Sequence, residues 1–242
     1  MGAPVHLEAI VLRSIRYGEA DRILHCYSLE RGRISAIAKG ARKGKSRFGG
    51  RLEPMMRVRL VLREGRSDLM TVTGVSTEAA YPRLREDASA LDSAMRACDA
   101  VSRLFGDGEP APHVFHLLAN LLALLDADPA RHGSEATQLA FRLKLLVAAG
   151  LTPQLGRCAG CGEQGELAGF SGAAGGVVCA ACESGGFPLG EEAHRFMTDA
   201  IGRPLAEAPE LGDLRTLRMV ERAIGETAEH HAHVRLRAAV LL

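Results

Sequence analysis

Four cysteines carry the most legible chemistry in the chain. Cys158-x2-Cys161 is followed, after 17 intervening residues, by Cys179-x2-Cys182. Each pair can form a tight knuckle, because Ala159-Gly160 and Ala180-Ala181 separate the thiols and Gly162 follows the first pair. Two such knuckles converge on one tetrahedral site of four sulfurs, the arrangement of a structural zinc ion. Four thiolates leave no open position, so one Zn2+ per chain is expected to stiffen the fold and not to catalyse. The spacing also admits an iron–sulfur cluster, which takes the same four ligands. A redox dithiol pair is the third reading, but such a motif usually opens a helix beside a βαβ strand, and none is legible here. Cys26 and Cys98 fall inside a strand pattern and a helix pattern and read as small core residues.

A second cluster is cationic. Lys39, Arg42, Lys43, Lys45 and Arg47 put five positive charges into nine positions with no acid among them, and Gly40, Gly44, Gly49 and Gly50 free the backbone. Such a loop can follow an irregular polyanion, with Phe48 as a stacking face for an unpaired base. Arg33, Arg57 and Arg59, on neighbouring strands, are expected to extend the basic surface. The plainer alternative is a solvated loop with incidental charge. Gly40…Gly44-Lys45-Ser46 approaches a phosphate-binding loop but has three intervening residues where that motif needs four, and a β context instead of strand–helix. His113 and His116 lack a third ligand nearby. His230, His231 and His233 fit a polar helix end better than a metal site.

The elements that must hold these clusters follow from periodicity. The 242 residues are 47% hydrophobic and 24% charged, values of a globular protein with ample core. Aromatics are only 4%, with no Trp, so the core is aliphatic. Short apolar runs occupy Leu7–Ser14, Ile23–Leu29, Arg33–Lys39, Met56–Glu64 and Leu69–Thr77. Glu30-Arg31-Gly32 and Gly65-Arg66-Ser67-Asp68 supply two hairpin turns. Val58, Leu60 and Leu62 alternate with Arg57, Arg59 and Arg63, so one face is apolar and the other basic. Five such strands suggest a closed barrel of the OB-fold type. From residue 81 the period becomes helical, with helices expected over Asp87–Phe105, His113–Ala127, Glu135–Ala149, Glu191–Ile201 and Gly212–Glu229. The expected fold is α+β: an OB-fold over 1–80, then a helical domain over 81–242 with the cysteine module inserted at about 154–189.

Charge divides along the same line. Residues 1–85 hold 17 Lys and Arg against 8 Asp and Glu, a net of +9, and the remainder is net −8. The basic end is suited to a polyanion and the acidic end to protein partners. No apolar run is long enough for a membrane span, and no secretory leader is visible, so a cytoplasmic, nucleoid-associated location is expected. A nucleic-acid-processing enzyme, a nuclease or strand-joining protein, would need paired carboxylates for Mg2+ near the basic face. Glu19 and Asp21 are close, yet Gly18-Glu19-x-Asp21-Arg22 reads as a turn.

The stretch from Val11 to Met55 resembles the N-terminal signature of the bacterial RecO family. The matching elements are Tyr17-Gly18-Glu19-x-Asp21-Arg22-Ile23, Gly32-Arg33, Ala38-Lys39-Gly40-Ala41-Arg42, Ser46 and Leu52-x-Pro54, and the likeness continues through the cysteine module. The resemblance implies a non-catalytic recombination mediator with an OB-fold and a zinc-bearing helical domain. Such a protein binds single- and double-stranded DNA and anneals complementary strands. It acts with RecR and with single-stranded-DNA-binding protein (SSB) to help load RecA. It further implies an SSB contact on the helical domain that includes a basic residue, for which Arg142 or Lys144 is the candidate.

Overall fold

A computed structural model describes residues 3–65, 69–183 and 185–239. Five strands come first: β1 (Val5–Tyr17), β2 (Asp21–Ser28), β3 (Gly32–Ala38), β4 (Arg57–Arg63) and β5 (Met70–Ala79). They close into a barrel in the order β1-β2-β3-β5-β4. Every pairing is antiparallel except β3 with β5, a short parallel contact at Ala36–Met70 and Ile37–Thr71 that seals the cylinder. This is the five-stranded OB-fold expected from the alternation. In β4 the buried positions are Val58, Leu60 and Leu62, and in β3 they include Ile34, Ala36 and Ala38. Cys26 lies in the same core, and burial pushes its thiol up to about 12. Of the second hairpin turn, Arg66, Ser67 and Asp68 lie outside the described residues, while β4 and β5 on either side pair antiparallel.

The first turn shows why Gly32 is glycine. Its φ is +63°, and a Cβ there would stand 2.0 Å from the Glu109 carbonyl oxygen. Gly32 therefore lets the 106–111 segment lie directly on the β2–β3 turn. Helix α1 (Ala88–Leu104) begins at Asp87, whose carboxylate accepts from the Ala90 amide, and α2 (Pro112–Ala127) follows. Both pack with the barrel. Tyr27 and Phe105 meet edge to face at 6.0 Å, and the Arg57 guanidinium lies 5.6 Å from the centre of the Phe115 ring. The compact units are consequently Met1–Pro129 and Ala130–Leu242. The change from strand to helix at residue 80 is thus internal to the first unit.

The second unit takes in the single turn α3 (Pro129–His132) from Ala130 onward, then α4 (Glu135–Ala148), α5 (Glu191–Gly202) and α6 (Leu214–Ala232). Ser134 caps α4 by accepting from the Thr137 amide, and Gly150 leaves the helix at φ +75°. Between α4 and α5 stands the cysteine module, whose three short strands the periodicity did not reveal: β6 (Leu167–Ser171), β7 (Gly176–Cys179) and β8 (Phe187–Pro188), in the order β7-β6-β8. His231 bonds the Gly172 carbonyl at 2.8 Å, which gives that residue a structural part at the helix end.

Candidate nucleic-acid interface and metal centre

The basic loop runs from Lys39 to Met56 between β3 and β4 as a chain of turns. Its entry is fastened to the β1–β2 turn. The Gly40 amide donates to Asp21 Oδ1 at 2.7 Å, the Arg42 amide donates to the Ala20 carbonyl at 2.8 Å, and the Arg42 guanidinium reaches the Glu19 carbonyl at 3.3 Å. Asp21 opens β2, and its carboxylate serves to hold the entry of the loop. The far half of the loop folds inward, with Phe48 and Leu52 joining the barrel core. Between these two anchors Lys39, Arg42, Lys43, Lys45 and Arg47 are all exposed, and Arg51 adds a sixth cation that the sequence reading passed over. None of the six is in an ion pair with a carboxylate among the described residues.

Two expectations need correction. Phe48 is 1% exposed, so its ring serves the core and offers no stacking face; Arg47 covers it at 4.9 Å from the ring centre. Nor do Arg33, Arg57 and Arg59 form a free basic surface. Arg33 pairs with Asp107 at 2.6 Å, Arg57 with Glu8 at 2.5 Å and Arg59 with Glu78 at 3.1 Å. The first two also seat the helical segments on the barrel wall, and all three have their charge balanced within the molecule.

The candidate SSB residues are also placed differently from expectation. Arg142 is 1% exposed, donates to Glu221 Oε1 at 2.9 Å and to the Arg237 carbonyl, while Glu221 Oε2 accepts from the Ala239 amide. It is a buried latch joining α4, α6 and the C-terminal segment, with no guanidinium face left for a partner. Removing one member of a buried pair strands the other charge, which typically costs about 3–5 kcal/mol. Urea unfolding of Arg142→Ala should register a loss of about that size. Lys144 is half-buried and donates from Nζ to the Ile201 carbonyl at 3.1 Å, near the end of α5. Desolvation lowers its pKa.

The four cysteines do converge. Among the described residues they are the one group of three or more His, Cys, Asp or Glu side chains so gathered, with all four Sγ atoms within 4.8 Å of one another. Cys161 and Cys179 are 3.8 Å apart at sulfur. Tetrahedral zinc with bonds of about 2.3 Å needs sulfurs about 3.8 Å apart, so the donors fit such an ion. Gly160 makes the approach possible, since a Cβ there would press to 3.2 Å on the Cys182 side chain. Backbone amides of Cys179 and Cys161 pull the Cys158 thiol down to about 6, whereas the crowding sulfurs of Cys161, Cys179 and Cys158 push Cys182 up to about 12.

Both halves of the chain match known sequences. Residues 1–81 match the family described as recombination protein O N terminal, and residues 85–238 match recombination protein O C terminal. The chain belongs to the RecO family. It is 38% identical to the DNA repair protein RecO of Rubrobacter xylanophilus over 96% of this chain and 89% of that one. It is 39% identical to the DNA repair protein RecO of Geobacter sulfurreducens over 82% of this chain and 81% of that one. The family ties the chain to DNA repair and recombination. The five-stranded barrel lies within the N-terminal match and the four cysteines within the C-terminal match. No helix of the described residues is long and apolar enough to cross a membrane.

Proposed function

We propose that this RecO chain is a recombination mediator that binds single- and double-stranded DNA through the 39–51 loop, anneals complementary strands and performs no covalent chemistry. The observation carrying this reading is the set of six exposed loop cations that have no carboxylate partner among the described residues, held out from the barrel by a fixed base. Annealing draws its free energy from base pairing. What a protein must supply is relief of the repulsion between two phosphate backbones, and lysine and arginine do this by neutralising phosphates and releasing condensed counterions. One structural Zn2+ held by Cys158, Cys161, Cys179 and Cys182 is the proposed cofactor.

RecR and SSB are the proposed protein partners, with RecA loading as the outcome. For SSB, α6 carries exposed basic residues beside apolar surface. Arg215 and Arg218 border a groove floored by Phe187, Leu214 and Met219, with Arg222 stacked 4.1 Å over the Phe187 ring. A chain segment that combines an apolar side chain with carboxylates would fit there, the first in the groove and the second on the guanidinium groups.

The test is annealing of complementary strands without nucleotide, run in parallel with and without Mg2+, on naked and on SSB-coated DNA. The wild-type protein should accelerate both, leaving every strand covalently intact. Arg215→Glu/Arg218→Glu should anneal naked strands normally and fall at least about tenfold on coated ones, as expected when desolvated charge contacts are reversed. A cleaved or joined product would refute the mediator reading, and equal annealing on both substrates by the variant would move the SSB contact off α6.

A further inference from the structure

With Phe48 in the core, the barrel still has an aromatic side chain placed for an unpaired base. Tyr17, at the end of β1, is 54% exposed, whereas Tyr27 and Tyr81 are buried at 0% and 6%. It adjoins Gly18, whose carbonyl faces the Arg42 guanidinium at 3.5 Å, and it pairs across the ladder with Asp21, which holds the Gly40 amide. The ring therefore stands at the fastened base of the cationic loop.

The surface beside Tyr17 is also apolar where a barrel exterior is normally polar. Side chains two apart share a face of a strand, so Ile15 and Tyr17 point outward together. Ile15 is opposite Ile23, and Ile23 is opposite Ile37, a row across the outside of β1, β2 and β3 in which all three are partly exposed. Arg13 and Lys39, both exposed, stand near the two ends of that row. In barrels of this topology the outer face of strands 2 and 3 and the loop between strands 1 and 2 are where oligonucleotides lie.

Resting on the proposed DNA role of the loop, we infer that Tyr17 stacks on an unpaired base of single-stranded DNA whose phosphates run along the loop cations, making Tyr17 the residue that separates single strands from duplex. A base still in a duplex keeps its faces against its neighbours, so the ring gains nothing from it. An extruded base gains a stacking partner worth a substantial factor in affinity, whatever its identity.

The chain has no tryptophan, so Tyr17→Trp creates a single tryptophan, excited apart from the remaining tyrosines. Its fluorescence should be quenched by an oligo(dT) strand and much less by a duplex of equal length. Tyr17→Ala should weaken oligo(dT) binding roughly 5- to 150-fold, the range for one base–aromatic stack, with duplex affinity and the salt dependence unchanged. Tyr17→Phe should bind like wild type, because the face and not the hydroxyl makes the contact. Equal losses on both DNA forms, or an unquenched tryptophan, would overturn the inference. Lys43→Glu/Lys45→Glu, measured alongside, separates the two levels. If it weakens both DNA forms while Tyr17→Ala changes neither, the loop reading stands and stacking falls. If neither variant changes binding, the loop reading itself falls.

Discussion

Replacing Cys158 by serine, or stripping the metal with a chelator at neutral pH, is expected to unfold the cysteine module. A closed four-thiolate zinc site contributes about 10–16 kcal/mol of apparent binding energy at pH 7. The whole stability of a domain is about 5–15 kcal/mol, so no packing within the module can offset that loss. The module's own core is small: Phe170 and Phe187 meet at 5.9 Å, with Val177 and Val178 beside them, on strands of five, four and two residues. Cys158 is also the most sheltered of the four sulfurs and receives the Cys179 amide at 3.4 Å, so serine there would remove both a ligand and the acceptor that organises the second knuckle. Elemental analysis of the purified chain should return one zinc, and Cys158→Ser should return none. The variant should also show a low folded yield and early loss of the second unit to proteolysis. Loop-dependent DNA binding by the surviving folded fraction should change little, since the cations belong to the first unit. A variant that melts like the wild-type chain would remove the metal from the account.

The second large effect belongs to the loop. Lys43 and Lys45 are the cleanest positions to reverse, because Arg42 also ties the loop to the β1–β2 turn and Arg47 covers Phe48. If about five phosphates of a single strand are engaged, log K should fall with log salt at a slope near −3.5, and near −4.5 for duplex. Each single-strand contact then contributes about 0.7 log unit at 0.1 M salt, so losing two costs about 25-fold, and the added carboxylates push the loss further. Lys43→Glu/Lys45→Glu should therefore bind all sequences at least about 25-fold more weakly, with a slope near −2. Filter binding or fluorescence anisotropy across a salt series gives both numbers. An unchanged slope would place the phosphates elsewhere.

The parts of this molecule that were legible in sequence are those encoded by neighbours along the chain. Alternation in β4 gave the faces of the barrel, helical periods beginning near Asp87 and Glu135 gave two helices, and the twin Cys-x2-Cys pairs gave the cluster of four sulfurs. What misled was set by distance. Arg33, Arg57 and Arg59 looked like free cations because their carboxylates lie 74, 49 and 19 residues away in sequence. Phe48 looked like a loop aromatic because no local pattern shows that the chain turns back into the barrel after Arg47. Arg142 sits in a helix whose residues 136–143 are all buried, and an arginine amid that run was a visible sign of a buried pair rather than a surface contact. The small sheet of the cysteine module escaped because its strands are too short to show a period.

The two-sided build of the 39–56 segment has a bearing on how such a protein can diverge. Inward residues such as Phe48 and Leu52 answer to the barrel, and Arg42 and Arg47 help to hold the loop, while the outward lysines Lys43 and Lys45 carry no ion pair among the described residues. On the proposed DNA role, grip on the polyanion can be tuned up or down, one lysine at a time, by substitutions that leave melting behaviour alone, so affinity and robustness are inherited as separate traits.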